Sequence, residues 1–329
     1  MGSSNLREYD ELYELPPKWW FKKKTLREWI EALYKIRFRR KTIEYLGLKV
    51  TLPFSSWLGK YLVVPNEFYM SKCLHAFLEL KPGAAIDVGT HAGEFLVRFK
   101  LACQKTKTEN AKYFGFEPNY ASYFFMNELI RENEWSNSCS VFPVALSDES
   151  GIRPFYVSRY ADPCSSIHPQ INSGVEDYNT LVAVYSGDEF VASLDIDHLS
   201  VIKIDTEGAE LEVLQGFEKT IAAHRPFIHC EINNVPESDN PNYEFLAARN
   251  KSLVEFANKM DYEIYEIAED WDFYHHVFRK ESYLPDIVGP IRAFSPKKQG
   301  VSNYFLVHKE VAPSLLEYVD PKATESKAK

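Results

Sequence analysis

The sequence has few cysteines, no long apolar run and no apolar segment at its N-terminus. Its five cysteines are scattered along 329 residues without a Cys-x-x-Cys pair. An odd, scattered set of this kind is typical of free thiols in a reducing compartment and gives no zinc site. Because no run of about 18 apolar residues occurs, no transmembrane helix is expected. We therefore predict a cytoplasmic protein.

An excess of basic charge is also absent. The 47 acidic residues outnumber the 38 Lys and Arg residues and give a formal net charge of -9. Proteins that bind a nucleic-acid backbone usually present a basic surface, so we expect no nucleic-acid partner. The hydrophobic share of 45% is that of a globular protein, and the length allows one large α/β domain with an appendage.

A basic, aromatic stretch occupies residues 18–41, with ten Lys and Arg residues and interleaved tryptophans. Trp29, Leu33 and Ile36 follow helical spacing, which predicts an amphipathic helix with a basic face. This helix would either pack on the domain with its charges in water or contact a membrane surface or an anionic acceptor. The expected regions are a helical appendage over 1–75, a main domain over 76–312 and a disordered tail over 313–329.

From residue 84 onwards, short apolar strands alternate with helical periodicity. This alternation predicts a doubly wound, mostly parallel, seven-stranded α/β sheet with helices on both faces. The predicted strands are 85–88, 113–116, 140–144, 201–204 and 227–232, followed by 263–267 and 304–308 as an edge hairpin. The stretch 154–195 is rich in Ser, Tyr, Asp and Asn, and we expect it to be an irregular lid or binding loop.

A glycine turn follows the first strand of this pattern. Asp87 and Val88 run into Gly89-Thr90-His91-Ala92-Gly93, after which helical periodicity begins. Glycines at a strand-to-helix turn let the backbone approach a ligand closely, and the helix N-terminus offers unpaired N–H groups. The turn has neither the third glycine of a dinucleotide fingerprint nor the Gly-Lys-Ser/Thr of a phosphate loop. A structural turn without a ligand would also explain it.

Glu117 ends the second strand and precedes Pro118 and Asn119. An acidic residue in this place, about 20 residues past the glycine turn, accepts hydrogen bonds from ribose hydroxyls in nucleoside-binding α/β folds. Glu117 is therefore a candidate ribose ligand. A carboxylate that favours the N-terminus of the following helix is the alternative.

Further carboxylates end the fourth and fifth strands. Asp205 and Glu207 follow one strand, Glu231 ends the next, and all three should face the same crevice as the glycine turn. They could position an acceptor hydroxyl, remove its proton or hold a divalent cation. His168 and His229 are further candidate bases, although a histidine inside a strand is commonly a core residue. Helix caps and ion pairs are the structural alternatives for the carboxylates.

Several blocks of the sequence together resemble the FkbM family of methyltransferases. They are 85–93 (AIDVGTHAG), 115–119 (GFEPN), 144–148 (VALSD), 193–195 (SLD), 202–210 (IKIDTEGAE), 225–226 (RP) and Glu231. The resemblance covers about residues 84–309 and is most specific in the block 202–210. It implies a class I, Rossmann-like fold that uses S-adenosylmethionine to methylate hydroxyl groups, commonly on sugars of glycans or on polyketide-type small molecules.

The resemblance also implies site residues. The predicted donor ligands are Asp87, Gly89, Thr90, His91, Gly93, Glu117, Pro118, Ala145, Leu146 and Asp205, of which the resemblance itself carries over Gly89, Gly93, Glu117, Ala145, Leu146 and Asp205. His91 departs from the family, which more often has a small or apolar residue there. Within that set, Gly89 and Gly93 would lie against the amino-acid end of the donor, and Ala145 with Leu146 beside adenine. Asp205 would stand nearest the transferring methyl group.

These lines predict an S-adenosylmethionine-dependent O-methyltransferase that acts on a hydroxyl of a sugar or glycan. A hydroxyl is a poor nucleophile, so a base is needed, and Asp205, Glu207 and His168 are its candidates. A metal is not expected, and Asp205, Glu207 and Glu231 are its ligands in the alternative. Methylation of a non-sugar small molecule and a non-catalytic nucleotide- or carbohydrate-binding module are the alternative functions.

Overall fold

The computed structural model describes residues 40–45, 48–53, 69–91, 93–157, 165–167, 178–232, 243–266, 292–293 and 303–319. Its contacts divide the chain into two compact units, Met1–Pro65 and Asn66–Lys329.

In the first unit the described residues form a β-hairpin. Strands β1 (Arg40–Tyr45) and β2 (Leu48–Pro53) pair antiparallel, with Tyr45 opposite Leu48. Thr, Ile, Val and Tyr side chains favour such strands. The helix predicted over 18–41 meets the described residues only at its last two positions. These lie in β1, so the helical prediction is wrong there, and residues 18–39 lie outside the described part. The helical appendage predicted over 1–75 is likewise wrong at 40–45 and 48–53, which are strands.

The second unit is built on a large mixed sheet. Its strands in chain order are β3 (Ala84–Val88), β4 (Tyr113–Phe116), β5 (Cys139–Phe142), β9 (Leu199–Ile204), β10 (Phe227–Glu231), β11 (Tyr262–Glu266), β12 (Arg292–Ala293) and β13 (Asn303–His308). In space their order is β12-β11-β13-β10-β9-β3-β4-β5. The five strands from β10 to β5 are parallel, and β13, β11 and β12 add antiparallel neighbours. The doubly wound, mostly parallel prediction is confirmed, with the two-residue β12 as an eighth described strand.

Helices cover this sheet. They are α1 (Tyr69–Leu80), α2 (Glu94–Thr106), α3 (Tyr120–Glu132), α4 (Gly187–Val191), α5 (Glu210–Gly216), α6 (Glu218–His224), α7 (Tyr243–Lys259) and α8 (Ala312–Val319). Strands β3 and β9 are buried at every residue, as expected when both faces of a parallel sheet are covered. Helix α8, with Leu315 buried, occupies residues that we predicted as disordered tail. Within the described ranges, no helix combines the length and apolarity needed to cross a bilayer.

A second, small sheet lies in the stretch that we predicted to be irregular. It contains β6 (Ala145–Ser147), β7 (Gly151–Val157) and β8 (Tyr178–Ser186), in the order β6-β8-β7. The prediction is therefore wrong for 154–157 and 178–191. Its error has a physical reason, because residues on both faces of β8 are apolar and hide the alternation: Val182 is buried, whereas Leu181 is 70% exposed.

The sheet order decides where a site can form. Strands β10, β9, β3 and β4 are adjacent and parallel, so their carboxyl ends meet at one edge. In open α/β sheets ligands bind at this edge. The glycine turn, Glu117, Asp205 and Glu231 all lie there.

Candidate active site

The first turn, 89–93, is pressed against neighbouring backbone and side chains. Gly89 has a φ of 78°, and a Cβ added to it would lie 1.8 Å from the carbonyl oxygen of Asp205. Gly93 has a φ of 93°, and its Cβ would lie 2.6 Å from Sδ of Met126 on α3. Only glycine satisfies both the left-handed backbone and the close approach. The two strand ends β3 and β9 are thereby in direct contact.

Two side chains of this region leave buried polar atoms without hydrogen-bond partners among the described residues. They are Oγ1 of Thr90 and Oδ1 of Asp87. The other oxygen of Asp87 accepts a hydrogen bond from the hydroxyl of Tyr113. Burial raises the pKa of Asp87 to about 6, although the ammonium of Lys203 opposes the shift. Since buried polar groups are normally paired, Thr90 marks a place where a bound ligand can supply the missing partner.

Glu117 is fixed by backbone N–H groups. Its Oε2 accepts from the N–H of His91 at 2.7 Å, and its Oε1 accepts from the N–H of Asn119 at 2.8 Å. Asn119 in turn caps α3 by accepting from the N–H of Ala121. Burial raises the pKa of Glu117 to about 7 against the lowering effect of these bonds. Pro118, beside it, is partly exposed.

The second turn, 205–210, is organised by Glu210. One oxygen of this buried side chain accepts from the backbone N–H of Thr206 at 3.0 Å and of Gly208 at 2.9 Å, and from the Thr206 hydroxyl. Arg249 of α7 donates to the carbonyl of Gly208 at 2.6 Å. These bonds hold Glu207 at a φ of 54°, which is uncommon for a residue with a side chain.

The three carboxylates predicted to converge do so. Oxygen atoms of Asp205, Glu207 and Glu231 lie within 4.8 Å of one another, and each side chain is partly exposed. Asp205 and Glu231 share a hydrogen bond. The ammonium of Lys203 lies 3.1 Å from Oδ2 of Asp205. The cluster therefore already contains a positive charge supplied by the protein.

The cluster divides into one ionised and two neutral acids. Burial alone would raise the pKa of Asp205, but Lys203 and the hydrogen bond from Glu231 outweigh it and lower that pKa. Burial and the charge of Asp205 raise the pKa of Glu231, so its protonated carboxyl donates to Asp205. Burial, Asp205 and Glu210 raise the pKa of Glu207 to about 8.

The candidate histidines have different positions. His229 lies inside β10, where its Nε2 shares a hydrogen bond of 3.0 Å with Oδ1 of Asn303. Burial, followed by Lys203, lowers its pKa to about 4, so it stays neutral. His168 lies outside the described residues. Ser166, two positions earlier, is buried and donates from its hydroxyl to the carbonyl of Glu207 at 2.8 Å.

Ala145 and Leu146 lie in β6 and are buried. Leu146 belongs to the main core, whereas Ala145 packs in the core of the small sheet. Their place beside adenine stays a prediction.

Sequence reasoning missed three residues that shape the site, namely Lys203, Glu210 and Tyr113. Lys203 could have been found, because it is the one charged residue within the apolar run 201–204. A lysine that is buried in a sheet has to be paired, so its position predicts acidic neighbours. For Glu210 and Tyr113 the sequence carries no comparable signal, since their contacts depend on the folded turn and on strand register.

Comparisons with known proteins relate the chain to methyltransferases. The model of the family described as "Methyltransferase FkbM domain" matches residues 87–280. The hexuronic acid methyltransferase AglP of Haloferax volcanii is 33% identical over 149 residues, which are 45% of this chain and 53% of that protein. The chain thus matches about half the length of this curated relative.

Two solved structures overlap with the chain. Methyltransferase FkbM from Methylobacillus flagellatus KT does so with a TM-score of 0.38 at 17% identity, covering 68% of this chain and 43% of its own. The O-methyltransferase TomG from Streptomyces achromogenes has a TM-score of 0.41 at 10% identity, covering 87% of this chain and 100% of its own.

Proposed function

Because the chain belongs to the FkbM methyltransferase family, we propose that it transfers a methyl group from S-adenosylmethionine to a hydroxyl oxygen of a sugar or glycan. The observation that carries the proposal is the contact between the two turns. Gly89 touches the carbonyl of Asp205, so a donor bound at the first turn lies beside the carboxylate cluster of the second.

The residues of the first turn suit this donor. Gly89 and Gly93 open the backbone for close approach, and the buried Thr90 hydroxyl has an unused hydrogen-bonding capacity. Each carboxylate oxygen of Glu117 accepts a hydrogen bond from one backbone N–H group. The second lone pair of each oxygen can accept from a ribose hydroxyl. When bound, the donor supplies a methyl group already activated by its sulfonium.

The carboxylate cluster suits a hydroxyl acceptor. The acceptor oxygen has to be aligned with the methyl group and has to lose its proton as the new O–C bond forms. Asp205 is ionised, and Glu207 deprotonates near pH 8, so either can accept that proton. Ionised Asp205 and the carbonyl oxygen of protonated Glu231 both keep lone pairs that can accept from neighbouring hydroxyls of a sugar ring.

A sugar as acceptor is supported by the 33% identity to a hexuronic acid methyltransferase. A uronic acid offers two kinds of oxygen, hydroxyl and carboxylate. We favour the hydroxyl for two reasons. A carboxylate acceptor carries no proton, so it would not need the base that the cluster can provide. It would also be repelled by ionised Asp205.

The test is transfer from isotopically labelled S-adenosylmethionine to a panel of uronic-acid glycans, neutral glycans and non-sugar alcohols, with products identified by mass. We expect a labelled sugar product that survives mild alkali, because a methyl ether is stable there and a methyl ester is hydrolysed. The Asp205→Asn protein is the control for background transfer. Label only in non-sugar alcohols, or only in alkali-labile esters, would contradict the proposed acceptor.

Peripheral contact with a membrane is a separate proposal for residues 18–41, which lie largely outside the described part. It is supported by their basic and aromatic composition. Flotation with anionic and neutral vesicles tests it, and we expect the protein to float with the anionic ones only. Equal recovery from both would contradict an electrostatic contact.

A further inference from the structure

Lys203 occupies a buried position between the two turns. It lies in β9 with Asp87 as its partner in β3 and His229 in β10, and its side chain is only 10% exposed. Burying an ammonium is costly unless it is paired and hydrogen-bonded. The contacts of Lys203 therefore show what the fold uses it for.

The ammonium lies close to three oxygen atoms, one of a backbone carbonyl and two of carboxylates. It donates to the carbonyl oxygen of Gly89 at 2.7 Å, lies 3.1 Å from Oδ2 of Asp205 and lies 3.5 Å from Oδ1 of Asp87. The first partner belongs to the proposed donor turn and the second to the proposed acceptor side. The third partner, Asp87, is fixed by a hydrogen bond that its other oxygen accepts from the hydroxyl of Tyr113.

The two carboxylates keep the lysine charged. Burial alone would lower the pKa of Lys203, but Asp205 and Asp87 outweigh this effect and raise it above its usual range. Without the ammonium, Asp87 and Asp205 would face each other with no compensating charge, and the Gly89 carbonyl would lose its donor.

We propose that Lys203 is a positioning residue for methyl transfer, whose ammonium joins the Gly89 carbonyl to the Asp205 carboxylate and so fixes the donor turn relative to the proton-accepting side chain. This inference rests on the proposed function. It assigns to Lys203 a link between the two halves of the site, whereas Asp205 acts on the acceptor alone.

A double-mutant cycle tests the link. Lys203→Met, Asp205→Asn and the double variant are compared for affinity to S-adenosylhomocysteine by calorimetry and for kcat. We expect Lys203→Met to weaken the affinity about tenfold and to lower kcat about a hundredfold, because hydrogen bonds of charged groups on both sides are lost. Asp205→Asn should lower kcat alone, and the double variant should be within about threefold of the weaker single variant, as expected when both changes break one interaction.

Chemical rescue separates positioning from folding. In Lys203→Ala, added ethylamine should raise kcat by about tenfold at saturation, because a small ammonium can enter the space left by the side chain and restore the charge. Lys112→Met removes a lysine that pairs with Asp195 outside the site and should leave affinity and kcat unchanged. If Lys203→Met fails to fold, adding Asp87→Asn removes the uncompensated carboxylate and the cycle is repeated in that background.

The outcomes are distinct. Wild-type affinity and kcat in Lys203→Met, full additivity with Asp205→Asn, or no response to ethylamine would each overturn the positioning role while leaving the proposed function in place. Wild-type protein that binds no S-adenosylhomocysteine would overturn the proposed function and this inference with it.

Discussion

Glu117 and Asp205 are both carboxylates at the ends of parallel strands, β4 and β9, which lie on either side of β3, but the protein holds them in different ways. Glu117 accepts two backbone N–H groups, so the path of the chain sets its position. Asp205 is held by the ammonium of Lys203 and by the protonated carboxyl of Glu231. One carboxylate depends on the backbone and the other on the charges of side chains.

This difference fits two tasks. A carboxylate fixed by the backbone keeps one geometry through the whole reaction, which suits recognition of a donor that is the same in every cycle. A cluster whose protons are shared among side chains can take up and release a proton. The comparison therefore predicts that changes at Glu117 act on donor affinity and that changes in the cluster act on turnover.

The largest effect is expected from Asp205→Asn. It keeps the shape of the side chain and removes its charge, so kcat should fall by about a hundredfold or more, the usual scale for a positioned proton acceptor. Affinity for S-adenosylhomocysteine should change by less than about threefold, since Asp205 contributes chiefly to the acceptor side. Steady-state kinetics and calorimetry on the same preparation measure both. A loss of affinity with unchanged kcat would reverse the division of tasks.

Glu117→Ala should have the next largest effect, on donor affinity. Losing charge-assisted hydrogen bonds to the ribose should weaken S-adenosylhomocysteine by about tenfold to a hundredfold. Glu128→Ala is a matched control, because Glu128 lies on α3 and pairs with the exposed Arg131. Calorimetry distinguishes the two variants. Equal affinities would remove Glu117 from the donor site.

The acceptor side should also show a pH dependence. If Glu207 takes the proton, kcat/KM should rise about tenfold per pH unit below its pKa of about 8 and level off above it, because only the ionised form is a base. Glu207→Gln should abolish this rise. A profile that is flat between pH 6 and pH 9 in the wild type, approximate limits for a carboxylate that is already ionised, would assign the role to Asp205 alone.

The free energy of unfolding should also depend on pH through the Glu207 carboxyl, with a smaller effect than that on turnover. The pKa of Glu207 is raised from 4.5 to about 8, so folding favours its protonated form. Its contribution is therefore present below its unfolded pKa and is lost as pH rises through the folded one. Urea unfolding near pH 4.5 and near pH 8 should show that the free energy of unfolding of Glu207→Gln increases relative to that of the wild type as pH rises. A constant difference would show that Glu207 has an ordinary pKa in the folded protein.

No effect is expected from a chelator. Asp205, Glu207 and Glu231 lie close enough to hold a cation, but Lys203 already compensates the charge of Asp205. Activity should be the same with and without EDTA. Loss of activity that is restored by Mg²⁺ or Mn²⁺ would show that these carboxylates bind a metal.

The sequence predicts the position of Glu117 better than it predicts the carboxylate cluster. Strands such as Tyr113–Phe116 are short apolar runs that end in glycine or charge, and the position of Glu117 at the end of one follows from strand order alone. Convergence of Asp205 and Glu231 follows from the same rule. The protonation pattern of the cluster does not, because it depends on Lys203 reaching across from the interior of β9.

Elsewhere the sequence pattern misleads for a local reason. Strand β8 carries apolar residues on its exposed face as well as its buried face, so the alternation that marks a half-buried strand is absent. Its polar flanks then resemble a loop. The antiparallel neighbour of β8, β7 (Gly151–Val157), ends within the same stretch, which is rich in Ser, Tyr, Asp and Asn.

A crystal structure of the complex with S-adenosylhomocysteine would locate the ribose and the sulfur of the donor in one measurement. We predict that the ribose hydroxyls lie within hydrogen-bond distance of the Glu117 carboxylate and that the sulfur faces Asp205 across the Gly89 turn. A nucleoside bound away from Glu117, or a sulfur turned away from the carboxylate cluster, would contradict the account.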